Sequence, residues 1–476
     1  MIAAIMVPIL GGLLIPLFPK GTEKARNIYA AIISCLPVLF IVRMMPGVLA
    51  TQSQVSIWEL PMFRSLNLLF LGDALSVFVA FASALVGALV VIYSIDYVRD
   101  YPNQKEFFTL VLIFQGSMMG LVFSGNLVIM YVFWELTAIC SWRLIGFHRH
   151  ETKPILHADK ALLVTVFGSA CMLLGFKFIF HEFGTMSVLE LKGHALQAWP
   201  LFLVLLGMLA KSAQFPLQTW LPDAGVAPSP VTALLHAAAL VKIGVYAFAR
   251  IFLATFIMPR SSIELIMIIT ALSVFIAACS ATLENDIKRV LAYSTISQIA
   301  YIFLGLAIGT PLAVTGALFY ILAHGLGKAG LFLGAGMVEH YTHEKDMRKL
   351  GGMRKVMPIT SFGYFLNSLS VMGIPPFGGF FAKLLIILAA IQTGNYFVAG
   401  LIVATAVLTL IYLMRLWTKV FNGPVTHPGT PEKRKLMPVI VVVFAVLSLL
   451  SFVVLLHPFN LVAKAVAVTQ ILGINR

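Results

Sequence analysis

Residues 209–250 read LAKSAQFPLQTWLPDAGVAPSPVTALLHAAALVKIGVYAFAR. Two lysines, Lys211 and Lys242, and a histidine, His236, stand inside apolar runs long enough to cross a bilayer, and Pro216 breaks the first run just after its lysine. A lysine at mid-membrane costs roughly 2.5 to 3.5 kcal/mol on insertion scales, so it is expected only where a bundle interior, a partner or water receives it. A charge and a helix break in one span make function the first reading of this stretch.

Working outward, the rest of the chain has the same solvent. Hydrophobic residues are 60% of the sequence and charged residues 11%, and mean hydropathy is +0.96. A soluble domain sits near half apolar and a quarter charged, so this is an integral membrane protein with no sizeable soluble domain. Apolar runs predict helices near 2–18, 28–49, 70–95, 107–124, 126–147, 157–182, 199–221, 229–255, 262–283, 288–309, 312–336, 359–391, 396–420 and 437–457, about fourteen in an all-α polytopic fold. Residues 1–18 have no basic stretch before the apolar run and no small-residue cleavage site after it, and are read as a retained first span. The tail from Asn460 is weakly amphipathic and is expected on the membrane surface or partly disordered.

The net charge of +14 lies in short loops without a nucleic-acid-binding module, which excludes nucleic acid as partner and leaves membrane topology as the explanation. Lys20, Lys24, Arg26, Arg99, Lys105, Arg149, Lys153, Lys288, Arg289, Lys345, Arg348, Lys349, Arg354, Lys355, Lys433, Arg434 and Lys435 fall on one side, against Arg64, Lys192 and Arg260 on the other. The richer side is inward, which puts both termini outside. Cys35, Cys140, Cys171 and Cys279 lie singly in apolar segments and are read as small buried hydrophobes.

A second span is broken like the first. The run GIPPFGGFFAK places Gly373, Pro375 and Pro376 ahead of Lys383, and proline inside a helix frees carbonyls that need other donors. Interrupted spans at matching places in two halves are the mark of an inverted-repeat transporter. The expected division is an N-terminal three-helix segment at 1–105, a first five-helix unit at 106–256 with broken helix 7, a second at 257–422 with broken helix 12, and a last helix and tail at 423–476.

Other polar residues join this row. Glu135, in MYVFWELTAICSW, has no other acid in its span; a carboxylate there is either neutral or paired with a cation, and its surroundings tune that choice. Arg143 follows two turns later, about 80° around the axis; it is read as snorkelling to the inner face, with a counterion role for Glu135 as the alternative. His324 and Lys328, in AHGLGKAG, share a helix face at i and i+4. His236 and Lys242, about 120° apart on one helix, form no local pair, so His236 is read as a link in a water-connected relay or as a satisfied core histidine. Burial disfavours the charged form of a lysine and a nearby carboxylate favours it, so Glu135 moving towards or away from Lys211 would hold or release a proton. Lys177, near the outer end of its helix, is read as snorkelling. No nucleophile with a base, metal-ligand spacing, Gly-rich nucleotide loop or haem motif appears, so any redox cofactor is expected in a partner.

With these residues in place, the chain resembles the antiporter-like subunits shared by respiratory complex I, Mrp-type cation/proton antiporters and group 4 membrane-bound hydrogenases, over roughly residues 65–420. KSAQFPLQTWLPDA, APSPVTALLHAAALVKIGVYAFAR, WEL at Glu135, IKRVLAYSTISQ from Ile287, AHGLGKAGLF and GIPPFGGFFAK carry the likeness, with VKIGVY nearer the Mrp and hydrogenase branches. The resemblance implies a proton-translocating subunit, itself non-catalytic, of a prokaryotic cell-membrane complex. Its proton-transfer residues would be Glu135, Lys211, His236, Lys242, His324, Lys328 and Lys383. It implies as partners other membrane subunits, further antiporter-like ones among them, and a soluble redox arm carrying Fe–S clusters, NiFe or flavin, with protons or sodium as the moving ion and lipid around it. The chain stops after about fourteen helices, without the long lateral helix of the distal complex I subunit, and Arg143 departs from the family pattern. Sodium/proton exchange in an Mrp-type assembly and a non-conducting scaffold are the competing readings.

Overall fold

A computed structural model of the chain describes residues 1–50, 56–63, 66–427, 432, 435–456 and 460–469. Arg64, Lys433, Arg434 and the tail beyond residue 469 lie outside the described residues. The fold is an all-α bundle: α1 (Ile2–Leu14), α2 (Glu23–Ala50), α3 (Ala74–Tyr97), α4 (Gln104–Phe123), α5 (Leu127–Ile145), α6 (Thr152–Phe183), α7 (Ala198–Lys211), α8 (Ser229–Leu253), α9 (Arg260–Leu283), α10 (Ile287–Ile308), α11 (Pro311–Thr342), α12 (Pro358–Met372), α13 (Gly378–Gln392), α14 (Tyr396–Phe421), α15 (Leu436–Leu450) and α16 (Leu461–Thr469). Among the described residues, 11 helices are long and apolar enough to cross a membrane, and Ile2–Leu17, α7 and α13 are shorter apolar helices. The last two are short because each is one part of a broken span.

The third predicted span is where sequence and structure part. Residues 70–72 are not helical: Leu66–Gly72 is strand β2, paired antiparallel with β1 (Ser56–Phe63). The apolar run continues through the strand, so hydropathy does not mark the change; Asp73 does. Its Oδ1 accepts from Ser76 N at 2.9 Å and Ser76 Oγ accepts from Asp73 N at 3.0 Å, a reciprocal cap that fixes the helix start at Ala74. Gly125 N donates to Leu69 O at 2.8 Å, fastening the hairpin to the turn between α4 and α5. The tail also differs from expectation, since Leu461, Val462, Ala465 and Val466 of α16 are buried and the helix packs on α3.

Burial separates centre from rim. Every residue in the apolar windows of α8 and α11 is buried, whereas those of α2, α6, α9, α14 and α15 are 22% to 39% buried. The rim helices turn Leu39, Leu163, Phe167, Ile268 and Val407 outward, the apolar stripe a lipid-facing helix presents, and Lys177 is exposed on α6 as snorkelling requires. Glycine sets one close approach: a Cβ on Gly168 would lie 2.3 Å from Ala210 Cβ, so α7 seats directly on α6.

Both expected breaks are present. The α7 helix ends at Lys211, the chain turns through a cis Phe215–Pro216 peptide bond, and a short helical piece, Trp220–Asp223, follows. The α12 helix ends at Met372, Gly373 takes a left-handed conformation with φ of 86°, and α13 starts at Gly378 after a cis Pro375–Pro376 bond. The freed carbonyls find donors. Trp220 Nε1 donates to Ala210 O at 3.0 Å, and Lys383 Nζ donates to Val371 O at 2.8 Å and Met372 O at 3.2 Å.

Candidate functional site

The two central helices carry four of the seven candidate residues. His236 falls in a π-helical turn of α8, Leu234–Ala238, a distortion that often accompanies function. Its ring stacks on Phe332 of α11 with centroids 4.3 Å apart, and neither ring nitrogen meets a protein partner. Lys242, one turn beyond, donates from Nζ back to Ala237 O of its own helix. Gly325 of α11 faces that ammonium, and a Cβ there would lie 3.0 Å from Ala237 O and nearer still to Lys242 Nζ. Gly325→Ala is therefore expected to displace the ammonium from Ala237 O while the melting temperature of the purified protein stays close to wild type. A structure of the variant with Lys242 unmoved would contradict this.

On α11, His324 lies edge-on to Tyr320 with centroids 5.8 Å apart, and both its ring nitrogens also lack protein partners. Lys328 Nζ donates to Leu291 O of α10 at 3.0 Å. The same Tyr320 ring lies under Lys383 Nζ at 5.9 Å, and Tyr301 lies under it at 5.4 Å, so Tyr320 connects α13 to His324. His236, Lys242, His324, Lys328 and Lys383 form one group inside the bundle.

Lys211 and Glu135 flank that group. Ser212, the residue after Lys211, donates to Val241 O, the residue before Lys242, at 2.7 Å, so the end of α7 is bound to α8 beside its lysine. Lys211 Nζ donates to Trp134 O of α5 at 3.0 Å and lies 5.5 Å from the Trp134 ring centroid. It makes no ion pair with Glu135 among the described residues. Glu135 is half-buried, with Oε1 enclosed and unpartnered. Arg143 is not its counterion: Arg143 NH2 pairs with Glu106 Oε1 of α4 at 2.6 Å, which accords with snorkelling.

Burial is nearly complete along the row. Lys211, His236, His324 and Lys328 are 0% exposed, Lys242 1% and Lys383 4%, and no carboxylate lies within ion-pair distance of any of them among the described residues. A buried ammonium held only by carbonyls carries a desolvation cost that an ion pair would offset, and these imidazoles meet no protein donor or acceptor. Groups so held are poised to give up or take on a proton.

Beyond the first break, Asp223 takes Lys160 Nζ and Arg289 NH1, each at 2.7 Å, tying its far side to α6 and α10. Burial raises its carboxyl, and these two cations outweigh that and hold it below the ordinary carboxylate range. No group of three His, Cys, Asp or Glu side chains among the described residues could hold a metal.

Compared with known families, residues 124–409 match the model described as "NADH:quinone oxidoreductase/Mrp antiporter, TM", and residues 62–108 match "NADH-Ubiquinone oxidoreductase (complex I), chain 5 N-terminus". The chain belongs to the NADH:quinone oxidoreductase/Mrp antiporter family. The resemblance read from its motifs is thereby borne out. This family member is 33% identical to the Na(+)/H(+) antiporter subunit A1 of Staphylococcus saprophyticus, over 96% of this chain and 60% of that protein. It is 38% identical to NADH-quinone oxidoreductase subunit L of Mycobacterium tuberculosis, over 72% of this chain and 56% of that protein. The chain thus spans well under two thirds of either relative. Its fold is that of a chain in the Mrp complex from Dietzia sp. DQ12-45-1b (TM-score 0.88, 23% identity) and of one in the archaeal membrane-bound sulfane sulfur reductase (TM-score 0.87, 24% identity), each covering 98% of this chain and 96% of the other.

Sequence reasoning missed two ion-paired sets in this family member. Asp73 and Arg250 pair across α3 and α8, and Lys288, expected in a loop, is buried against Glu339. The signals were present: the Asp73–Ser76 capping pattern, an arginine ending the apolar run of α8, and Glu339 three turns from Lys328 on α11.

Proposed function

We propose that the chain is a proton-translocating, antiporter-like subunit of a multisubunit membrane redox complex, of the complex I or membrane-bound hydrogenase kind. The observation that carries this reading is the row of Lys211, His236, Lys242, His324, Lys328 and Lys383, buried at 0% to 4% exposure without a carboxylate partner. A scaffold needs only packing, and buried cations of this kind would cost it stability without return. In the proposed route Glu135 acts on Lys211, the end of α7 leads to Lys242, and His324, through Tyr320, leads to Lys383. His236 and Lys328 adjoin the centre. Redox cofactors, whether Fe–S clusters, NiFe or flavin, would belong to partner subunits, and this chain would itself catalyse no redox step.

The matched breaks at Pro216 and at Gly373, Pro375 and Pro376 support two inverted five-helix units, 106–256 and 257–422, between the segments 1–105 and 423–476. The bias of lysine and arginine to one side supports both termini outside, in what we take to be a prokaryotic cell membrane. Glu135 shares its helix face with Val132 and Ile139, which are 54% and 53% exposed. A carboxylate on that face needs a polar neighbour rather than lipid, which supports a partner membrane subunit packed there.

Sodium/proton exchange in an Mrp-type assembly is the second reading, favoured by the relative named as an Na(+)/H(+) antiporter subunit, which aligns with 96% of this chain. Co-purifying subunits and transport in vesicles test both. Proton transfer that requires a redox substrate and ignores sodium is the expected result. Exchange that requires sodium and no redox substrate would establish the second reading, and no ion movement by an assembled complex would leave only a scaffold.

A further inference from the structure

Four helix ends converge at the inner face on a polar cluster outside the row. Lys288 Nζ, near the start of α10, pairs with Glu339 Oε2 of α11 at 2.5 Å and donates to Ala227 O at 2.9 Å. The other oxygen of Glu339 takes Lys345 Nζ at 2.8 Å. Ser229 Oγ, at the start of α8, donates to Glu339 Oε2 at 3.3 Å, and Tyr97 OH, at the end of α3, reaches Ser229 Oγ at 3.4 Å. Exposure is graded: the Lys345 side chain is 36% exposed, Glu339 21% and Lys288 3%. The carboxylate bridges an ammonium that meets water and one that does not.

The cluster lies in line with the buried row. Ser229 and His236 are two turns apart on α8, and Glu339 and Phe332, the ring His236 stacks on, are two turns apart on α11. The imidazole therefore sits roughly 10 Å deeper than the carboxylate on both helices. Glu339, Lys328 and His324 fall within about 60° of one another around α11. Leu291, whose carbonyl holds Lys328 Nζ, is one turn past Lys288 on α10.

We propose that Glu339, shared between Lys345 and Lys288, is the inner mouth of the proton route, through which the buried row exchanges protons with the aqueous side. A proton leaving Lys288 Nζ towards Lys328 is replaced by one that the Glu339 carboxylate first takes up from water beside Lys345 and then passes to Lys288 Nζ, so the buried pair carries the same total charge before and after. The inference rests on the proton-route reading above.

Four variants of the complex in vesicles test it: Glu339→Gln, the double variant Lys288→Met with Glu339→Gln, Lys345→Met, and Lys211→Ala as control. Glu339→Gln strands a buried ammonium and lowers assembly as well as transfer. The double variant removes both charges; it is expected to assemble at wild-type yield yet lose about 10²-fold in proton transfer, the loss typical of a positioned proton-transfer group. Wild-type transfer by the assembled double variant would make the pair structural and overturn the proposal. Lys345→Met leaves the buried pair intact and is expected to slow transfer about tenfold; should the double variant fail to assemble, an unchanged rate here overturns the proposal instead. If Lys211→Ala also transfers protons normally, the proton-route reading itself fails.

Discussion

Replacing Lys211 by alanine should lower proton transfer by the reconstituted complex about 100-fold or more while the complex assembles at its normal yield. The two halves of this expectation have separate physical causes. Lys211 is 0% exposed, is held by the carbonyl of Trp134 and the face of its ring, and has no carboxylate within ion-pair distance among the described residues. A buried charge of that kind does not stabilise the fold, because desolvation outweighs what carbonyls return. Alanine therefore removes an unfavourable charge together with some packing, and the net change in stability is small. Transport has no such compensation, since the ammonium that ends α7 is gone. Glu135→Ala should show the same separation, for its Oε1 is enclosed and bonded to nothing in the chain. Rates and subunit stoichiometry measured on the same vesicles decide the matter. Unchanged pumping in both variants would remove the row from the mechanism, and a complex that fails to assemble would show these residues to be structural.

What the sequence made legible was whatever the bilayer dictates. Apolar length gave the spans, prolines and glycines gave the two breaks, and a lysine inside a hydrocarbon-length run is conspicuous because so few places can receive it. What it left hidden was partnership. Asp73 and Arg250 are 177 residues apart, and nothing local to either names the other. Lys288 stands at the second residue of its helix, where charge statistics favour a loop; only the positions of α11 and α8 show that it turns inward. Arg143 was placed in the last turn of its helix, yet its partner Glu106 belongs to another helix. The start of α3 was blurred for a different reason, because a buried strand and a membrane helix are equally apolar and differ here only in the cap at Asp73.

The opposite phenotype is expected from Arg250, a cation buried as deeply as the lysines. Its guanidinium makes two parallel bonds to Asp73, NH1 to Oδ2 at 2.6 Å and NH2 to Oδ1 at 2.7 Å, and its Nε donates to Tyr246 OH at 3.1 Å. The side chains are 4% and 8% exposed. Bidentate geometry with further bonds on both partners is the case in which attraction recovers the desolvation penalty. Removing one partner then leaves the other charged, buried and alone, at about 3–5 kcal/mol. Asp73 has a second duty as the cap of α3, so the same change loosens the joint between the hairpin, α3 and α8. Arg250→Ala should therefore lower the melting temperature of the detergent-purified protein sharply and reduce its incorporation into the complex. Asp73→Asn, which can still accept the bond from Ser76 N but strands the guanidinium, should do nearly as much. Combining Asp73→Asn with Arg250→Met removes both charges and should recover most of the stability. Lys211→Ala, measured beside them, should melt close to wild type. Arg250 is met by a carboxylate and Lys211 is not, and a guanidinium keeps its proton where an amine can give one up; together these separate a residue that holds the bundle from one that is free to carry a proton. An Arg250→Ala protein as stable as Lys211→Ala would show that the Asp73 pair contributes nothing and that burial alone does not tell the two roles apart.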